Sequence, residues 1–371
     1  MKKKLHFHRL VEHFSPEETW LLHLLFQESK DPWEDSIGDE KHAVDFALGN
    51  GLGPLLYVHP ASSSLSDDIR FILKKHYLSN LAKNSTFQVI SDEMMGTLKQ
   101  AGIKCIPLKG SFLSRIIYPD PALRPMSDID LLIPANRVEE AFLMFKNDPS
   151  ALLKRDRFGH HLPPLMHRGA MVEIHNSLFD LNAKYQIPMN LVWKDAKVLS
   201  DGGFLAMNPI HLITHLILHI YYSFRTGGIR LGWFYDLKIA MEFYKDQVSS
   251  EDLRVFFSVH QLEKPTSLVL AYYQFLNPNS GFQVPLDKSL LNKLSEIQRF
   301  AKNPSEQNSL KYGYSIAWER ILYSKNWRQR MRFIKHLLLV DKSGEHLSFF
   351  RRIIYLIKNT CCLLWQKIKF W

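Results

Sequence analysis

Pro119, Pro121 and Pro125 fall within seven residues, and the chain then passes through Asp128, Ile129 and Asp130 into the apolar run Leu131, Leu132, Ile133. Proline fixes φ and has no N–H to donate, so residues 119–125 must be a loop. The stretch from Asp128 alternates and then turns wholly apolar, as an interior strand does. Asp128 and Asp130 flank one residue, so on a strand both point to the same face. Two carboxylates that close repel unless a cation sits between them. A solvent-facing pair at a strand edge is the other reading. Here the pair opens a buried strand, where uncompensated charge is costly. A chain with this block needs a sheet covered by other layers and charge gathered at one end of it.

The neighbouring segments fit such a sheet. Residues 103–108 are short, apolar and β-like and run into Gly110 and Ser111, after which 112–118 has helical spacing. A Gly-Ser pair where a helix begins offers free N–H groups and a hydroxyl to phosphate oxygens, or is an ordinary turn. Residues 135–146 read as a helix, and 152–158 and 170–175 as strands. Glu173, in the alternating segment Met171 to His175, is either a third acid on a neighbouring strand or a solvent-facing Glu.

Helices flank this segment on both sides. Residues 16–26 follow Ser15 as N-cap, with Glu17 and Glu18 in the first turn. Residues 41–48, 69–81 and 86–100 repeat apolar positions at three and four, and Ala101-Gly102 is a stop. Helical spacing returns at 209–224, 231–245, 252–262 and 266–275. The expected layout is an N-terminal helical region over 1–84 and an α/β core over 85–205. A helical acceptor or nucleotide-pocket region over 206–310 and a basic amphipathic helical tail over 311–371 complete it.

Composition narrows the class. The 371 residues are 46% hydrophobic, 23% charged and 12% aromatic, which excludes a mostly disordered chain. Cys105, Cys361 and Cys362 make neither a disulfide framework nor a zinc spacing, so no disulfide-linked partner is expected. No apolar run reaches the ~18 residues of a membrane-spanning helix. The basic N-terminal stretch lacks the apolar core of a signal peptide, so the expected location is cytoplasmic. The 47 Lys/Arg against 37 Asp/Glu leave +10. Residues 312–371 alone carry 12 Lys/Arg and three Asp/Glu, so the tail owns nearly all of the excess. Its interleaved cations and aromatics suit an anionic membrane surface, which adds a peripheral location, or an acidic partner; they equally suit a helix packed on the core with snorkelling lysines.

Other groupings are less committed. His211, His215 and His219 share one helix face at zinc-ligand spacing, yet Leu212, Leu216 and Ile220 beside them favour buried, hydrogen-bonded histidines. His160 and His161 precede the third-acid strand. Arg225 and Arg230 bracket Gly227-Gly228, a loop that closes over phosphates or a plain turn. No P-loop and no GxGxxG motif is present.

Leu108-Lys109-Gly110-Ser111, the run from Tyr118 to Ile133, and Val172-Glu173-Ile174-His175, in that order, resemble the nucleotidyltransferases of the DNA polymerase β superfamily. The likeness is closer to a bacterial branch, the uncharacterised nucleotidyltransferase family, and covers about residues 40–245. It implies an α+β fold: a polymerase β-like core, a short mixed sheet with helices, flanked by N- and C-terminal helical regions. It implies Mg²⁺-dependent transfer of a nucleoside monophosphate from a nucleoside triphosphate (NTP, ATP among them) to a small-molecule, saccharide or peptide acceptor, with release of pyrophosphate. Gly110 and Ser111 would hold the β- and γ-phosphates, and Asp128 and Asp130 two Mg²⁺ ions. Glu173 would be the third carboxylate, as metal ligand or general base. Lys109 and Arg124 would neutralise the triphosphate, although Arg124 equally suits a structural fork on an aspartate. His175, His219 and Asp236 would line an acceptor pocket. Asn176 departs from the aromatic residue frequent after that His, which bears on the acceptor rather than the acids. A non-catalytic nucleotide-sensing or assembly module, and a nucleic-acid-binding protein acting through the tail, are the alternatives.

Overall fold

The computed structural model describes residues 14–27, 38–146, 148–154, 159–181, 183–199, 204–225, 228–302, 327 and 330–331. Those within 1–180 and 185–309 form one compact unit, and those within 181–184 and 310–371 a second. Everything below concerns the first. The helical tail expected from 311 onward lies outside the described residues, apart from three positions.

Helix α1 (Pro16–Phe26) starts as its sequence requires. Ser15 Oγ accepts from Glu18 N–H at 3.2 Å, and Glu18 Oε2 accepts from Ser15 N–H at 2.8 Å, which satisfies two orphan donors together. Helices α2 (Glu40–Gly49) and α3 (Gly53–Val58) follow, then α4 (Asp67–Gln100), 34 residues long. The two helices expected at 69–81 and 86–100 are therefore one. Ala82, Lys83, Asn84 and Ser85 contain no glycine or proline, so nothing in them ends the hydrogen-bond ladder. Asn84, a residue that weakens isolated helices, is buried and donates to Pro121 O at 2.6 Å and Arg124 O at 2.8 Å. It anchors the proline loop to α4.

The sheet follows at once. Strand β1 (Ile106–Pro107) leads into α5 (Lys109–Ile116), a short 3₁₀ turn at Pro121–Leu123, β2 (Ile129–Leu132) and α6 (Val138–Phe145). A two-residue turn at Arg168 and Gly169, both at positive φ, joins β3 (Leu165–His167) to β4 (Ala170–His175). The order is β1-β2-β4-β3, with β1 antiparallel to β2, β2 parallel to β4, and β3 antiparallel to β4. All four residues of β2 are buried, as its apolar run demands. The strand expected at 152–158 is corrected: Pro149–Lys154 is a 3₁₀ helix, started by Asp148 Oδ1 accepting from Ser150 N–H at 3.0 Å, and 155–158 are outside the described residues. The result is a mixed α+β fold with a small sheet.

Helix α7 (Met189–Asp195) and a hairpin of β5 (Lys197–Val198) and β6 (Leu205–Ala206) lead to the second helical layer. It comprises α8 (Pro209–Arg225), α9 (Leu231–Phe243), α10 (Ser250–Val259), α11 (Glu263–Leu276) and α12 (Lys288–Lys302). Among the described residues no helix is long and apolar enough to cross a membrane.

Asn50 ties the layers together. This fully buried residue donates from Nδ2 to Phe46 O at 3.1 Å and Ala301 O at 2.8 Å. Its Oδ1 accepts from Leu231 N–H at 3.0 Å and its backbone O from Gly232 N–H at 2.9 Å. The start of α9 is thus capped by the α2–α3 turn. Gly232 has to be glycine, because a Cβ there would lie 2.8 Å from Asn50 O.

Candidate active site

The parallel pairing of β2 and β4 sets Asp130 directly beside Glu173. Asp128 lies just before β2, two residues from Asp130 and half-buried. The three expected acids therefore gather at one end of two adjacent strands. Asp130 is 2% exposed; its Oδ1 accepts from Lys109 Nζ at 3.1 Å and lies 2.7 Å from His175 Nε2. His175 is fully buried, and its Nε2 is also 3.6 Å from Glu173 Oε2. One imidazole thus spans the carboxylates of two strands.

The β1–α5 turn is stitched to the same strand. Asp130 N–H donates to Ser111 Oγ at 3.0 Å, and Leu108 N–H to Asp130 O at 3.0 Å. Lys109 sits at φ 42°, a left-handed conformation costing a non-glycine residue about 1–3 kcal/mol. That backbone places its ammonium on Asp130. At Gly110 a Cβ would lie 3.0 Å from both Arg124 Nη1 and Met126 Cγ, so glycine lets the Arg124 side chain pass close over α5. Gly110 and Ser111 N–H make no hydrogen bond among the described residues, as the first donors of a helix do unless capped.

Arg124 is spoken for. Its Nε lies 3.1 and 3.2 Å from the two carboxylate oxygens of Asp236, and Nη2 donates to Oδ2 at 2.8 Å. Tyr118 OH donates to Asp236 Oδ1 at 2.8 Å. Asp236 on α9 is 2% exposed, so this fork locks the proline loop to the second helical layer.

The charges are not balanced evenly. Burial pushes the Asp130 carboxyl up, but the Lys109 charge and the His175 hydrogen bond outweigh it and hold Asp130 far below the usual range. Burial opposes protonation of Lys109 and His175 in turn, and their carboxylate partners raise both regardless. Glu173 is lowered, chiefly by its contact with His175. Asp128 goes the other way: burial, then the Asp130 charge, push its carboxyl up. Burial and like charge thus outweigh the relief that Lys109 and Ser127 give Asp128. Donor atoms of Asp130, Glu173 and His175 lie within 4.8 Å of one another; Asp128 is outside that group but borders the same cleft as Asp130. Hard oxygen donors with residual negative charge fit a divalent cation.

The remaining expected residues fall on either side. His160 and His161 pack on His175, ring centroids 5.2 and 5.5 Å away, and His160 Nδ1 is 2.8 Å from Asp180 Oδ1. The three histidines of α8 do not converge. His211 is 3.8 Å from Asp195, His215 is buried against Phe179, and His219 meets Trp233 with centroids 5.0 Å apart. Of the three residues expected in an acceptor pocket, His175 is buried away from the cleft, while Asp236, buried and engaged by Arg124, and half-buried His219 both border it.

That cleft, about 370 Å³, is bounded by Asp128, Asp130 and Gly110 on the sheet side. Lys83 of α4, and Arg230 and Trp233 at the start of α9, bound it on the helical side. Lys83 had no signal in the sequence, since a lone lysine between two helical segments reads as solvated surface.

A family described as uncharacterised nucleotidyltransferase has a model that matches residues 38–277. No curated protein and no solved structure matches the chain.

Proposed function

The chain belongs to the uncharacterised nucleotidyltransferase family and is therefore a transferase, and on that premise we propose a Mg²⁺-dependent enzyme that moves a nucleoside monophosphate from an NTP to an acceptor. The observation that carries this reading is that Asp128 and Asp130 border a cleft that also reaches Gly110 at the start of α5, with Glu173 beside Asp130 on the parallel strand. Strand, Gly-Ser turn, helix, acid-bearing strand and parallel partner strand also support a polymerase β-like core.

Asp128 and Asp130 would hold the metal, which when bound polarises the α-phosphate and stabilises charge on the attacking and leaving oxygens. The chain's own groups do the rest. Gly110 and Ser111 N–H bind phosphate oxygens at the positive end of α5. Lys109 neutralises Asp130 and adds positive charge close to where pyrophosphate develops. His175 keeps the Asp130 and Glu173 carboxylates apart and oriented. Glu173, ionised at neutral pH, takes the proton of the acceptor group as the new P–O bond forms and the bond to pyrophosphate breaks. His219 belongs at the acceptor or base end of the cleft.

The test is transfer from an NTP labelled in its α-phosphate to components of a source-cell extract. Wild-type protein should label an acceptor; Asp128→Asn and Glu173→Gln, with unchanged circular dichroism, should not. Equal labelling by the variants would remove both acids from the chemistry.

A further inference from the structure

Among the described residues four Lys and Arg side chains border the cleft, and two of these are cancelled. Lys109 pairs with Asp130 and Arg124 with Asp236. Lys83 and Arg230 also border the cleft, but both are exposed and neither has an ion-pair partner among the described residues. They come from separate elements, Lys83 from the middle of α4 and Arg230 as the N-cap residue of α9. Both elements are fixed: α4 by Asn84 on the proline loop, α9 by Asn50 and by the Asp236 fork.

The start of α9 cannot bind an anion through its backbone. Leu231 and Gly232 N–H are taken by Asn50, and Trp233 N–H by Arg230 O at 3.1 Å. Attraction on that wall therefore rests on the Lys83 and Arg230 side chains. The cleft also continues past Arg230. A second cavity of about 350 Å³ shares Arg230, Gly51 and Pro125 with it and is bordered by His76 and Asn80. His76, Asn80 and Lys83, spaced i, i+4, i+7, form one face of α4 along this path.

We propose that Lys83 and Arg230 form a polyphosphate clamp: they grip the β- and γ-phosphates of the NTP, and then the pyrophosphate product, from the wall opposite the acids. This deepens the nucleotidyl-transfer reading and rests on it. The two uncompensated cations face a ligand whose charge is concentrated on those phosphates, while the acids take the α-phosphate end. Arg230 offers a planar fork and Lys83 a point charge, which suits a chain of phosphates more than one fixed carboxylate. The helical regions thus add a second grip on the leaving group, facing Lys109, Gly110 and Ser111 on the sheet side.

The experiment titrates inorganic tripolyphosphate into the full chain by calorimetry, at two salt concentrations. Lys83→Ala and Arg230→Ala should each weaken binding about tenfold or more, the size expected for loss of one charge-assisted contact. Lys83→Arg should restore most of it, and Lys75→Ala, on the exposed side of α4, should change nothing. The salt dependence should flatten in each alanine variant. Affinity unchanged in both alanine variants, or no tripolyphosphate binding by the wild type, overturns the clamp. Mn²⁺ titration of wild type and Asp128→Asn in parallel separates the two readings. Metal binding that depends on Asp128 upholds the acid site even if the clamp fails. Tripolyphosphate binding lost with Lys83 upholds the clamp even if the acid site fails.

Discussion

Asp128 and Asp130 differ by two positions and by nearly everything else. Asp130 is buried between Lys109 and His175, so Asp130→Asn leaves a partly buried ammonium without its counter-charge; removing one partner of a buried pair costs about 3 kcal/mol. Among the described residues Asp128 accepts only from Ser127 Oγ, at 3.1 Å, and burial and the Asp130 charge already oppose its ionisation. Chemical denaturation should therefore show Asp130→Asn clearly destabilised and Asp128→Asn unchanged or slightly stabilised. Equal destabilisation would contradict the charge assignment. Gly110→Ala should cost about 1–3 kcal/mol by overpacking, because its Cβ meets Arg124 and Met126 at 3.0 Å. The same denaturation series reads it out. Asp130 was legible in the sequence as an acid in an apolar strand; Asp128, expected beside it by strand parity, lies just before β2, which begins at Ile129. The partners of Arg124 and Asp130 were not legible, since Asp236 and His175 lie 112 and 45 residues further on. No local spacing encodes which aspartate an arginine will fork.

At the scale of elements, α8 sets a pH limit. Burial holds His215 well below its ordinary range and pushes His219 down to about 3, and both ring nitrogens of His215 lack hydrogen-bond partners among the described residues. The unfolded chain protonates these rings near pH 6.5 while the folded chain does not, so the unfolded state binds more protons below that pH. Stability should be full above about pH 6.5 and fall as acidity increases from there towards pH 3. Thermal midpoints at pH 7 and pH 5 check this, and His215→Leu should narrow the difference between them. A wider difference would contradict it. The joint at Asn50 is a second element-scale test. Asn50→Leu strands Leu231 N–H and removes the side-chain donor from Ala301 O in the interior, and a loss of at least about 2 kcal/mol is expected on denaturation. The helices on both sides of the sheet were legible from apolar spacing. The unbroken α4 was not, because the carbonyl partners that hold Asn84 in its middle lie 37 and 40 residues further on.

The whole molecule divides its labour differently from its charge. The +10 balance belongs almost wholly to residues 312–371, and the described unit with the cleft is close to neutral. Affinity for a triphosphate therefore has to come from a few placed groups rather than from a general field. The cleft shows such placement: acids and helix donors on the sheet side, Lys83 and Arg230 on the helical side. The central claim is that the acids recruit Mg²⁺ for an NTP, and calorimetric titration of NTP with and without Mg²⁺ tests it most directly. For the wild type, Mg²⁺ should tighten NTP binding by about tenfold or more, and Asp128→Asn should abolish that gain while remaining folded. NTP affinity indifferent to Mg²⁺ in the wild type, or a Mg²⁺ gain that survives in Asp128→Asn, would contradict the account.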